Sequence, residues 1–125
     1  MNLLLISLFS LSLFAAESFV YKIAGSFYSF TKVNDVIVSG NCSKECVALK
    51  KLKSLSKFEV KAKKDEIFAK PLGAYVCDEI LKGQSLLGKD SKKNMVAFCY
   101  FNEDESMIEM NSLGAHAKKY QKEKK

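Results

Sequence analysis

The side chains with chemistry to offer in this 125-residue chain are few: four cysteines, one histidine, three methionines beyond Met1 and an acidic run. Cys42, Cys46, Met95, Met107, Met110 and His116 are soft or borderline ligands of the kind that hold Cu(I). Met107 and Met110, however, would point to opposite faces of a regular strand. Cys42 and Cys46 are spaced Cys-x-x-x-Cys, one residue longer than the Cys-x-x-Cys of thiol oxidoreductases. A nucleophilic triad needs a base beside its nucleophile, and the sole histidine, His116, opens a lysine-rich terminal segment. Glu103, Asp104, Glu105 and Glu109 are paired-carboxylate candidates, with Glu105 and Glu109 on one face of a strand. A glycosidase needs two carboxylates across a cleft, whereas these cluster in one turn. Asn102–Glu105 also lacks the ligand spacing of a calcium loop. The residues therefore point to no catalytic centre, no cofactor and no metal site.

The cysteines read better as crosslinks. Leu3 to Phe14 is apolar apart from Ser7, Ser10 and Ser12, and is shorter than the roughly 20 residues that span a bilayer. It fits the hydrophobic core of a signal peptide, with cleavage after Ala16 or after Ser18. We expect residues 1–18 to be that signal, 19–114 a single domain, and 115–125 a disordered lysine-rich tail. An even number of cysteines in a small exported protein implies disulfides. Four cysteines allow three pairings. The expected set joins Cys77 to Cys99 and Cys42 to Cys46; the rival joins Cys42 or Cys46 to Cys77.

The formal net charge is +6, and all 20 basic residues are lysine. Without arginine the chain lacks the commonest device for reading guanine and for gripping phosphate in two places. Nucleic acid is therefore not the expected partner. Lysines still attract anionic surfaces diffusely, so weak contact with an anionic membrane surface is compatible with the charge.

Several elements are legible. Phe19 to Gly40 is β-rich, with a break at Gly25 and a two-residue Asn34–Asp35 hairpin turn. Its aromatic residues read as core. Asn41 to Ser56 reads as an amphipathic helix capped by Asn41 or Ser43, with lysines on its outer side. Phe58–Ala62 alternates as a strand, and residues 63–66 form a charged connector. Pro71 suits an early helical position, and Leu72–Lys82 reads as a second helix stopped at Gly83. Short strands follow at Gln84–Leu87, Met95–Phe101 and Ser106–Met110, the last two joined by a reversal at Asn102–Glu105.

Four of these stretches carry a resemblance. They are Pro71-Leu-Gly-Ala-Tyr-Val-Cys77, Gly83-Gln-Ser-Leu86, Val96-Ala-Phe-Cys-Tyr-Phe101 and Glu105-Ser-Met-Ile-Glu109. Together they resemble a family of small exported bacterial domains of unknown function, often labelled haemolysins. The likeness covers residues 70–110. The chain departs from it by an extra residue between Pro71 and Cys77, by one glycine in place of a pair, and by Met110 where the family has tryptophan. The resemblance implies a Cys77–Cys99 bridge and supplies no catalytic residue.

The fold expected is α+β: a small antiparallel sheet with two short helices, stabilised by disulfides. The function expected is that of a non-enzymatic binding protein of the periplasm or the medium of a Gram-negative bacterium. Its partner would be an envelope or extracellular protein. The alternatives are a soft-metal (copper) or thiol-redox protein, and a membrane-active protein as the family label implies.

Overall fold

The computed structural model describes residues 17–42, 45–55 and 71–120. In it β1 (Ser18–Ile23), β2 (Ser26–Val33) and β3 (Val36–Ser39) run as a meander. Its turns, Ala24–Gly25 and Asn34–Asp35, have positive φ at Ala24, Gly25 and Asn34, backbone that matches the twist of the flanking strands. A second meander comprises β4 (Gln84–Lys89), β5 (Met95–Phe101) and β6 (Ser106–Glu109). The two meanders join at both edges. β1 pairs with β4 through Lys22–Lys89 and Ile23–Gly88, and β3 pairs with β6 through Val38–Ile108. The result is a closed antiparallel barrel in the order β1-β2-β3-β6-β5-β4.

Each seam has its own chemistry. At the first, a Cβ on Gly88 would lie 2.7 Å from the Lys22 carbonyl oxygen and 3.0 Å from the Phe98 ring, so a bare backbone is what lets β4 close on β1. At the second, side chains extend a ladder of one residue pair. The Met107 N–H donates to Ser39 Oγ (2.9 Å), and the Ile37 N–H donates to Ser112 Oγ (3.0 Å).

Three short helices pack on one outer face: α1 (Val47–Ser54), α2 (Leu72–Tyr75, continued by a π-helical turn Val76–Ile80) and α3 (Met110–Lys118). Strand alternation therefore yields two cores. Inward residues Tyr21, Ile23, Phe30, Phe98 and Met107 fill the barrel. Outward residues Val36, Val38, Cys99, Phe101 and Ile108 meet Leu52, Leu55, Val76, Leu81 and Leu113 beneath the helices. Gly73 and Gly114 let α2 and α3 cross backbone to backbone: a Cβ on Gly73 would come within 2.2 Å of the Met110 carbonyl oxygen. That explains a glycine inside a helix, where it is otherwise unfavourable.

The sulfur pairs are Cys77–Cys99, with Cα atoms 5.6 Å apart, and Cys42–Cys46, 5.1 Å apart. The first joins the π turn of α2 to β5 and is wholly buried. Disulfides are the mark of a protein that folds outside the reducing cytoplasm. No helix among the described residues is long and apolar enough to cross a membrane.

The expected α+β class, a small antiparallel sheet with two short helices, is corrected: the described residues form a mostly β fold, a closed six-stranded barrel with three short helices. The pairings of β1 with β4 and of β3 with β6 close the sheet on itself. The first helix begins at Val47 rather than Asn41, with Cys46 as its cap. The Asn41 side chain instead donates to the carbonyl oxygens of Asp104 and Glu105. The second helix ends before Gly83, and Lys82 takes the positive φ. The chain also does not leave the fold at Ala115. α3 runs to Lys118 with Ala117 fully buried, and Lys119 pairs with Asp35 in the β2–β3 turn. The expected signal through residue 16, the strand at 58–62, the connector at 63–66 and residues 121–125 lie outside the described residues.

Candidate binding site at the barrel mouth

The strand ends nearest Ile23, Phe27, Ser39, Leu86, Tyr100 and Met107 gather at one end of the barrel. There they enclose a cavity of about 640 Å3 to which all six strands contribute. That volume lies in the range of small-molecule sites, roughly 300–1,000 Å3. Ile23, Leu86 and Met107 give it apolar walls, and the rings of Phe27, Tyr28 and Tyr100 border it. Below lies a tight aromatic layer. Tyr21, Phe30 and Phe98 have ring centroids 5.0–5.1 Å apart, a spacing favourable for edge and tilted contacts. The cavity is thus a cup, floored by packed rings rather than continuing through the barrel.

Polar groups sit on the β2, β3 and β6 side of the mouth: Ser29, Ser39, Asn41 and Glu105. Ser39 is buried and its oxygen accepts from Met107, which leaves its hydroxyl proton to donate. Glu105 holds a positive φ in the β5–β6 turn. Among the described residues no lysine lines the cup, although lysine supplies the whole of the chain's side-chain positive charge apart from any on His116.

The acidic turn beside the mouth is structural. One Asp104 carboxylate oxygen accepts from the Val47 N–H (2.8 Å), the other from the Ser106 N–H (3.0 Å) and hydroxyl (2.6 Å). Ser106 Oγ in turn accepts from the Ala48 N–H at 3.0 Å. The turn therefore satisfies the first free N–H groups of α1, which a helix leaves without partners. Burial alone would raise the Asp104 pKa; the hydrogen bonds from Ser106 and Val47 outweigh it and hold the carboxyl below its ordinary value.

A carboxylate depressed on folding contributes stability above its unfolded pKa, near 3.9, and loses it as pH falls through the folded value. Asp104→Ala is expected to cost about 1–2 kcal/mol at neutral pH, the scale of a lost helix cap. Urea midpoints should show that gap between wild type and variant close as pH drops below about 4. A gap that persists at pH 2 would mean that packing, and not the ionised carboxylate, is responsible.

The other sequence candidates are scattered. Glu109 caps α3, accepting from the N–H groups of Asn111 and Ser112, and is not paired with Glu105. His116 is not an exposed tail residue: it lies half-buried in α3 against Tyr120, and burial lowers its pKa. Met107 belongs to the barrel interior and Met110 to the helical core. Cys42 and Cys46 are bonded to each other. Among the described residues no group of three or more His, Cys, Asp or Glu side chains could hold a metal ion. The cup residues Leu86, Tyr100 and Ser39 had no sequence motif to mark them, and Met107 was marked only as a soft ligand; closure of the barrel brings them together. Of the N-terminal aromatics read as core, Tyr21 and Phe30 are core, while Phe27 and Tyr28 border the mouth.

Comparison with protein-family models, with characterised proteins and with solved structures finds no match to this chain.

Proposed function

We propose that this is an exported, non-enzymatic binding protein of the periplasm or the extracellular medium, and that the barrel mouth is its binding site. The observation that carries the reading is the convergence of all six strands on one apolar-walled cavity of about 640 Å3. The occupant is a small amphiphile. Its apolar body lies against Ile23, Leu86 and Met107, and its polar end meets Ser39, Asn41 and Glu105. With the Glu105 carboxylate at the mouth and no lysine lining it among the described residues, that end is neutral or cationic. Met107 has the flexible thioether that adapts to occupants of differing outline. The dispersal of Glu105, Glu109 and His116 supports a binding role over a hydrolytic one.

Neighbouring residues of β4 provide the test, because Leu86 lines the cup while Leu87 is exposed. Fluorescence titration with the neutral probe N-phenyl-1-naphthylamine should show saturable binding. Leu86→Trp, which fills the cup, should weaken it at least about tenfold, the equivalent of 1.4 kcal/mol; Leu87→Trp should leave it unchanged. Equal effects from the two variants, or a linear titration, would remove the mouth as a site.

A further inference from the structure

The outer face of the β1–β4 seam is a second surface, which meets the rim of the cup at Phe27. Val20 on β1, Phe27 on β2, Leu87 on β4 and Met95 on β5 are 52%, 73%, 64% and 61% exposed. Leu87 and Met95 border one shallow surface hollow with Lys22 and Lys89, and Phe27 adjoins Lys22, so these apolar side chains form a patch rather than the scatter of single residues normal on protein surfaces. Lysines are set among them. Lys22 and Lys89 are directly opposed across the seam, and the Lys22 ammonium lies 5.7 Å from the centre of the Phe27 ring. Like charges directly opposite on a sheet face destabilise it. Among the described residues neither ammonium has a carboxylate partner. Asp90, next in sequence, is occupied in its own turn by the N–H groups of Lys92 and Asn94.

We propose that this face docks the barrel on an anionic lipid bilayer. Aliphatic and aromatic side chains enter the headgroup boundary, while the two ammonium groups, on stems long enough to reach outward, meet lipid phosphates. Charge complementarity selects the anionic surface: the opposed pair repels itself until anions intervene. On the outward face of this seam, where Lys22 pairs with Lys89 and Ile23 with Gly88, a partner meets side chains rather than backbone groups. A fluid array of phosphates over an apolar layer fits alternating apolar and ammonium groups on a sheet face. The proposal stands whether or not the cup binds a ligand.

Vesicle flotation of the protein purified after export tests it, comparing pure phosphatidylcholine with phosphatidylcholine containing about one-third phosphatidylglycerol, at low and high salt. Wild type should float with the anionic vesicles at low salt and not with the neutral ones. Each lysine near an anionic surface contributes about fivefold, so Lys22→Gln with Lys89→Gln should lower the partition coefficient about 25-fold. Lys50→Gln with Lys118→Gln removes the same charge elsewhere and should change it less than about threefold. Phe27→Ser with Leu87→Ser should also abolish flotation, with the circular dichroism spectrum unchanged. Equal losses from the two lysine pairs, or equal flotation with neutral lipid, would overturn the proposal. So would soluble polyglutamate binding as tightly as the vesicles and with the same dependence on Lys22 and Lys89, which would make the partner an acidic protein.

Discussion

Replacing Cys77 and Cys99 together by alanine is expected to lower the free energy of unfolding by about 3 kcal/mol, since the bridge closes a loop of about 23 residues. A small domain's total stability is on the order of 5–15 kcal/mol, so the loss is a large fraction of it. Packing adds to the effect. Both sulfurs are buried, and Gly83 leaves the space they occupy: a Cβ there would lie 2.5 Å from Cys99 Sγ. Without the bridge, α2 loses its covalent tie to β5, and the core that Val76 and Leu81 share with Phe101 loosens. The control is Cys42→Ala with Cys46→Ala, which opens a loop of five residues and by the same relation costs about 2 kcal/mol. Thermal unfolding should place the Cys77/Cys99 variant lower by about 10–20 °C relative to wild type. Identical losses in the two double variants would show that the long-range bridge does not hold the helical layer to the barrel.

What the sequence discloses is local. The Asn34–Asp35 turn, the strand at Met95–Phe101 and the reversal at Asn102–Glu105 are each set by neighbouring residues, and each stands in the structure. Closure is not local. Ile23 and Gly88 pair across about 65 residues of chain, and nothing in either stretch names the other; such contacts arise only once both meanders exist. The consequence for β1 is instructive. Its two apolar faces blur the alternation that marks a half-wet strand. In the barrel, Tyr21 and Ile23 fill the interior while Val20 remains exposed on the outer seam. α3 was hidden by the lysines and His116 that surround its apolar residues, although Met110, Leu113 and Ala117 recur at helical spacing. Its N-cap is Glu109, a residue more readily read as the end of a strand. The cup is the least legible feature, because its lining is drawn from separate strands, and the two of its residues whose types announce chemistry, Glu105 and Met107, suggest other roles when read alone.

The barrel interior yields the largest single-residue effect. Phe98→Ala is expected to cost about 4 kcal/mol, within the range for emptying a buried aromatic site. Phe98 is fully buried and in contact with both Tyr21 and Phe30. The wall around it is a hydrogen-bonded ladder on both sides, β4 and β6, so the site cannot collapse to fill the void. Phe27→Ala, at an exposed ring, should cost no more than about 0.5 kcal/mol. The two readouts then separate stability from occupancy. Phe98 precedes Tyr100 on the inward face of β5, and Tyr100 lines the mouth, so truncating Phe98 opens space beneath the cup. Naphthylamine binding should be retained or strengthened in the less stable variant, whereas Leu86→Trp should weaken binding at least about tenfold at little cost in stability. If Phe98→Ala and Phe27→Ala cost the same, the aromatic layer is not the packed floor of a closed barrel, and the cup above it has no rigid base on which to hold a ligand.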